Sequence, residues 1–432
     1  MKRFVFFLAL VLAVLKSHAG PAPAIPTLTL AEAHGLALRN HPQIAAATDR
    51  ALAAGQVVKE TRSGLFPQAN LYGTAVGADS SETRILAGGL NNPSIMDRAA
   101  GGISLNQLIT DFGRTANLTA GSRYSARAED QNATATRQQV LLDVDTSYFG
   151  TLQAQAVLNV TRQTLETREL LLDQVSVLAS NKLKSDLDVS FAHVALEEGR
   201  LLEEKAQNDA DASQAALSTA LGFREFHRFQ PVDESALGVD TNNIEALIDQ
   251  ALRERPELLR LRYESKAAER YARSQRDARY PTVAATGLFG DSPAHDNRLP
   301  DHYAAGGIQI SVPLFAGGYY SSRQHEFELR AHAAEEMLRS QEDIVIRDVR
   351  IAWLNLNNAQ QRLRTTAQLL THANQAFELA QARYKSGSSS IVELSQAQLE
   401  ITSAQIANAS ARYDVLIQEA NLNYQTGGLS PP

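Results

Sequence analysis

Apolar residues recur every three or four positions over two very long stretches of the chain, and proline is absent from both. From Gly113 and from Gly318 onward no proline occurs for more than sixty residues. The pattern predicts two long helices, about 113–180 and about 318–386. At a rise of ~1.5 Å per residue each would be ~100 Å long, far beyond the helices of a compact domain. In the second, Ile346, Val349, Trp353, Leu356, Leu363 and Leu370 follow alternating three- and four-residue steps, with Gln360 and Ala367 filling the series. Leu141, Val144, Tyr148 and Leu152 keep similar spacing in the first. Both read as heptad seams. Ahead of each long helix the period changes to two. Ile103 and Leu105 alternate with Ser104 and Asn106, and Ile308, Ile310 and Val312 alternate with Gln309 and Ser311. Together with Pro67–Val76 and Pro281–Gly290, these segments predict two β-hairpins, about 67–110 and 281–314.

The two halves repeat each other. Asn40-His41-Pro42 recurs as Glu254-Arg255-Pro256 and Phe66-Pro67 as Tyr280-Pro281, both at an offset of 214. Past the hairpin loops the offset is 205: Gly113 falls on Gly318, Tyr148 on Trp353, Ser185 on Ser390 and Gly222 on Gly427. A constant shift over so long a span marks an internal duplication. The chain divides into a first repeat, 20–222, a linker rich in turn residues, 223–243, a second repeat, 244–427, and a short tail, 428–432. Each repeat reads as a short helix, a second helix, a hairpin, a long helix and a final helix.

Strands of about ten residues with one apolar face match the sequence signature of a transmembrane β-barrel. Four strands cannot close a barrel, and open edges cannot lie in lipid, so other copies of the chain would have to complete the sheet. The alternative is a soluble periplasmic coiled-coil adaptor or scaffold, with the four strands in a small water-exposed sheet.

Composition narrows the choice. The formal charge is −7, which argues against a nucleic-acid partner because neutralising phosphates needs a basic face. There is no cysteine, hence no disulfide framework, thiolate zinc site or lipid-modified N-terminal cysteine. Lys2 and Arg3, the apolar run Phe4–Leu15 and the small residues before Gly20 read as an export signal, 1–19. Its removal takes three of the 41 basic residues and no acidic one, leaving a net charge near −10. No Gly-Lys pair, no His-Glu-x-x-His and no Gly-x-Ser-x-Gly is present, so phosphate-loop, zinc-peptidase and nucleophile-elbow chemistry have no carrier and no cofactor is expected. His325, Glu328 and His332 share a helical face, and a solvated face explains them better than a metal site.

The order of these features resembles the TolC family of outer-membrane efflux and type I secretion channels. The residues that carry the resemblance are the duplicated unit, the aromatic-Pro pair opening each first strand, and two strand-to-helix junctions. Those junctions read Leu108-Ile109-Thr110-Asp111-Phe112-Gly113 and Pro313-Leu314-Phe315-Ala316-Gly317-Gly318. The turn from Tyr384 to Leu394 has the same look. The resemblance implies a mainly α fold with a small β part. In it a homotrimer closes a 12-stranded β-barrel in outer-membrane lipid, continued by a 12-helix α-barrel across the periplasm. It places the linker in a belt around the tube. It implies a passive exit duct, not an enzyme, served by a periplasmic adaptor (membrane fusion) protein and an inner-membrane RND or ABC transporter.

The resemblance also points to the periplasmic tip as the working site. By position Asp188 and Glu393 match the family's entrance carboxylates and Tyr384 matches a tyrosine that holds the entrance shut. Ser389 stands where the family has an arginine, and Gln396 where it has a second aspartate. The turns Lys182-Leu183-Lys184-Ser185 and Gly387-Ser388-Ser389-Ser390 are the expected adaptor-docking tips. Gly387 suits a left-handed helix cap, whereas the first turn lacks glycine and Asn181 is the expected substitute.

Overall fold

The computed structural model describes residues 26–76, 98–233, 243–294 and 300–429. The export signal, parts of the hairpin loops and linker, and the last three residues lie outside them. In the first repeat α1 (Leu30–Asn40) and α2 (Pro42–Ser63) lead into β2 (Gln68–Val76) and β3 (Arg98–Thr110). Then come α3 (Arg114–Ser180) and α4 (Asp186–Ala220). In the second, α5 (Ile244–Glu254) and α6 (Pro256–Asp277) lead into β5 (Thr282–Ala294) and β6 (His302–Ser311). These are followed by α7 (Tyr319–Lys385) and α8 (Ile391–Gln425). A short parallel pair, β1 (Thr27–Leu28) and β4 (Gln230–Pro231), ties the start of the first repeat to the segment after α4.

Corresponding helices have equal lengths. Both opening helices have 11 residues, both second helices 22, both long helices 67 and both closing helices 35. Local chemistry fixes their ends. Thr29 and Glu32 form a capping box at α1, Asn243 caps α5, and Pro42 and Pro256 occupy the first turn of α2 and α6, where a missing N–H costs nothing. The short helix α2 and the closing helix α4 meet end to end. The joint turns on Gly222, left-handed at φ 83°, where an added Cβ would lie 2.8 Å from the His41 backbone. Gly427, at φ 81°, repeats the arrangement against Glu254 and Arg255. Each chain therefore supplies two continuous rods, α3 and α7, and two stacked ones.

The core is thin and runs along the rods. Buried positions on α7 are Val345, Val349, Ala352, Leu356, Ala359, Ala373, Ala380 and Tyr384. These keep the heptad step, but the seam is centred one residue before Ile346 and Trp353, which are only half-buried. Small alanines let α8 approach closely, and the bulkier neighbours flank the contact. Around the waist Val140, Val144, Tyr148 and Phe149 of α3 pack with Leu30, Ala33 and Ala37 of α1 and with Leu217 and Phe229. The Tyr148 hydroxyl accepts the Val232 amide at 3.0 Å and lies 2.8 Å from the Leu28 carbonyl, fastening β1 and β4 to the long helix.

The four longer strands form one antiparallel sheet in the order β2-β3-β5-β6, so β2 and β6 are open edges. Because side chains alternate, the register sorts them onto two faces. One carries Leu71, Ile103, Leu105, Phe289, Ile308 and Ile310, and the other Asn70, Tyr72, Ser104, Asn106, Thr286 and Gln309. Leu71, Ile308 and Ile310 are 83%, 70% and 65% exposed within the single chain. Among the described residues no helix is long and apolar enough to cross a membrane.

Candidate functional site

The two helical turns farthest from the sheet pack against each other. Val175 and Ala192 from the first repeat share a buried cluster with Ala380, Tyr384, Ile391 and Leu394 from the second. Both long helices stop in the same hydrogen-bond pattern. The Lys182 amide donates to the Ala179 carbonyl and the Leu183 amide to the Leu178 carbonyl, both at 2.9 Å. Gly387 donates to Tyr384 at 3.1 Å and Ser388 to Arg383 at 2.8 Å. This pair of hydrogen bonds around a left-handed residue is a Schellman cap. The left-handed residue of the first turn is Lys182, at φ 59°, not Asn181, whose φ is −89°. The six-to-one hydrogen bond fixes where the chain must reverse, and that position holds lysine in one repeat and glycine in the other.

After the turns the corresponding carboxylates Asp188 and Glu393 behave differently. Asp188 turns back to accept the Ser185 amide at 3.0 Å and its hydroxyl at 2.7 Å, while the Ser185 hydroxyl accepts the Asp188 amide. Partial burial works to raise the Asp188 pKa, but the Ser185 hydrogen bonds and the Lys184 charge outweigh it, and the group is held below the usual aspartate range. Glu393 does not close such a box. Its Oε1 lies 3.0 Å from Arg383 Nη1, across the turn, with both side chains about half exposed. Ser390 still caps α8 by accepting the Glu393 amide.

Tyr384 joins the two tips. It is 4% exposed, and Lys184 Nζ of the first tip sits 3.8 Å above its ring centroid. Burial, and secondly the nearby Asp188 charge, raises its hydroxyl pKa above the usual phenol value. The structure thus brings Lys184, Asp188 and Tyr384 together and leaves Glu393 in a separate pair with Arg383. Of the remaining tip residues, Ser388 shares a hydrogen bond with Ser386, whereas Lys182 and Leu183 are exposed. Leu183, Leu187 and Val392 present an apolar outer surface at the tips. Arg383 is the residue sequence reasoning did not single out. Its signal was a basic residue in the last turn of one helix followed by an acid in the first turn of the next.

At the other end of the molecule, Tyr72 of β2 and Tyr303 of β6 reach across the polar face and hydrogen-bond at 2.6 Å. They span the paired glycines Gly102 and Gly290 of the inner strands, where an added Cβ on either would collide with the Tyr303 hydroxyl. Among the described residues no group of three acidic or histidine side chains is placed to hold a metal ion.

Comparison with known proteins places this architecture. Residues 34–223 and 247–428 match the family model described as outer membrane efflux protein. The chain is 25% identical over 399 residues to the outer membrane protein TolC of Escherichia coli K12, covering 88% of this chain and 78% of that one. Among solved structures, a membrane protein from Pseudomonas aeruginosa superposes with a TM-score of 0.82 at 21% identity, covering 92% of this chain and 93% of that one. The Campylobacter jejuni CmeC outer membrane channel gives 0.81 at 16% identity, covering 92% and 85%.

Proposed function

The chain belongs to the outer membrane efflux protein family, and we propose that three copies of it assemble into one continuous duct from the periplasm to the cell exterior. The protein is an outer-membrane exit duct for efflux. The observation that carries the assembly is the sheet: four strands, two open edges and an exposed apolar face, joined directly to rods of 67 residues. Lipid tolerates a sheet only when its edges are closed. Three copies would supply twelve strands, with Leu71, Ile308 and Ile310 toward lipid and the polar face toward the lumen. The four rods of each copy would continue the wall as a twelve-rod tube. Transport through such a wall is passive and breaks no bond. The driving force would come from an inner-membrane RND or ABC transporter, coupled through a periplasmic adaptor protein that docks on the tips around Leu183, Leu187 and Val392.

The entrance lies at those tips. Glu393 is the carboxylate best placed to form a charged ring in a trimer, because Asp188 is engaged in capping its own helix. Arg383 supplies a guanidinium close to where Ser389 lacks one, and Tyr384 with Lys184 locks the two tips together. The duct is tested by fractionation: the protein partitions with the outer membrane, needs detergent for extraction and sizes as a trimer. A monomer released with the soluble periplasm overturns it. The gate is tested in planar bilayers. Glu393→Gln weakens block by multivalent cations, and unchanged block removes Glu393 from the constriction.

A further inference from the structure

The second repeat is a control on the first, because a side chain that helix packing alone requires should recur 205 residues on. One group beside the waist does not. Between α3, α4 and the segment that follows α4 lies an open groove of about 500 Å³. Its floor is apolar. Leu158, Ala210 and Phe229 are each less than a tenth exposed, and the counterparts of the first two are Leu363 and Val415. Its rim is polar and is not repeated: Asn159, Arg162, Gln207 and Asp211 correspond to Arg364, Ala367, Arg412 and Leu416. The second repeat builds helices of the same length without this rim, so the packing of the rods does not require it.

The rim is a chain of hydrogen bonds. Arg162 donates to Glu203 at 3.3 Å and to Gln207 at 2.6 Å, and Gln207 donates to Asp211 at 2.9 Å. Asp211 also accepts Arg228 at 2.7 Å. Each guanidinium thus has its own carboxylate, and the four formal charges cancel. Below them the buried Gln214 holds the Phe229 backbone from both sides, donating to its carbonyl at 2.8 Å and accepting its amide at 3.1 Å. The floor is therefore set before any ligand arrives. Three further carboxamides line the groove: Gln155 and Asn159, one turn apart on α3, and Gln230 of β4. Their side chains make no hydrogen bond to another of the described residues. Each offers an NH2 donor and a carbonyl acceptor.

We propose that this groove binds a neutral glycan of N-acetylated amino sugars. An anion would have to displace a carboxylate from a guanidinium that is already paired. A peptide strand needs exposed strand backbone, and β4 has two residues, one of them a proline without an N–H. A sugar needs neither. Its hydroxyl and acetamido groups match the free carboxamides, and the C–H face of its ring rests on the apolar floor. The volume lies in the range of small-ligand sites and holds about two sugar rings. A glycan held there tethers the molecule at its waist.

The groove is built within one chain, so its test does not depend on the proposed ring. The full-length protein in detergent is titrated with N,N′-diacetylchitobiose and binding is followed by saturation-transfer NMR. The expected dissociation constant is about 1 mM, since an open groove buries only part of the sugar. Cellobiose, which has the same linkage without acetamido groups, binds at least about fivefold more weakly. An Asn159→Leu, Gln230→Leu double variant, both positions exposed, loses about tenfold in affinity at an unchanged melting temperature. Arg162→Ala, which installs the second-repeat residue, loses about threefold. Absence of diacetylchitobiose binding to the folded protein overturns the site, as does equal binding to the protein and both variants. Tighter binding of trialanine or citrate than of the sugar, abolished by the same variants, overturns the glycan in favour of a peptide or an anion.

Discussion

The first and second repeats build the same helices with different tolerances at their corners. Among the described residues, the only non-glycine residues with positive φ are Phe112 and Lys182, both in the first repeat. At the corresponding corners the second repeat has Gly317 and Gly387. A left-handed non-glycine residue costs about 1–2 kcal/mol, so its surroundings must hold it there. Phe112 packs against Tyr280 with ring centroids 5.9 Å apart and the planes tilted by 42°, and Asp111 beside it accepts the Gly113 and Thr115 amides, whereas Ala316 occupies the matching place. Leu314 and Phe315, next to that permissive corner, are 92% and 91% exposed. At Phe112 the chain itself provides the restraint, and the matching corner of the second repeat uses glycine in its place.

The sharpest way to break this comparison is at the joints between stacked helices, where both repeats require glycine. Gly222 and Gly427 have nearly the same φ, but an added Cβ would lie 2.8 Å from backbone at the first and 3.2 Å at the second. Gly222→Ala should cost about 2–4 kcal/mol and Gly427→Ala about 1–2 kcal/mol, measured by thermal unfolding of the detergent-solubilised protein. Equal losses would mean that the two joints have the same slack.

The turns at the tips give the next largest effect, and with opposite signs. Gly387→Ala should destabilise by about 1 kcal/mol, because the methyl is forced into the left-handed region. Lys182→Gly should stabilise by up to about 1 kcal/mol, since the Schellman bonds remain and only strain is removed. If Lys182→Gly also destabilises, the lysine side chain contributes something that outweighs its backbone.

The mainly helical class, the small sheet and the family resemblance were legible in the chain because they depend on period, proline spacing and repetition. Features that depend on which of two adjacent residues faces a neighbour were not. The α7 seam centres on Val345, Ala352 and Ala359, while a reading by bulk favours Ile346 and Trp353. Hydrophobicity identifies a stripe, but close approach of α8 selects small residues at its centre. Lys182 was hidden for a similar reason: residue preference favours Asn181, and the hydrogen-bond count of the cap decides otherwise. At the tip, spacing identifies Asp188 and Glu393 as equivalents, yet it cannot say that one caps its helix and the other pairs with Arg383. Those choices depend on side-chain length and on what the opposite side of the turn offers.

That difference between the carboxylates predicts a smaller contrast. Asp188→Asn should cost about 0.5–1 kcal/mol by weakening the reciprocal cap at Ser185. Arg383→Gln should change stability by less than about 0.5 kcal/mol, because an exposed ion pair contributes little. The effect of Arg383→Gln should appear in conductance, through the freed Glu393. A stability loss for Arg383→Gln equal to that for Asp188→Asn would show that the ion pair also fastens the turn.

The smallest expected effect distinguishes the joints by pH. His41 caps α2 by accepting the Gln43 amide on Nδ1, and the matching residue of the second joint is Arg255, which stays charged throughout. Burial lowers the His41 pKa below the usual imidazole value, although Asp143 opposes the shift. On acidification the unfolded chain therefore takes up this proton first. The contribution is fully present above the unfolded value of about 6.5 and is lost as pH falls toward the lower folded value. Protonation of Nδ1 would also remove the acceptor that caps the helix. Asparagine caps equally well and does not titrate, so His41→Asn should flatten part of the decline in melting temperature between pH 7 and about 5. Parallel curves for the two proteins would place the acid sensitivity elsewhere and leave the two joints alike in their response to pH.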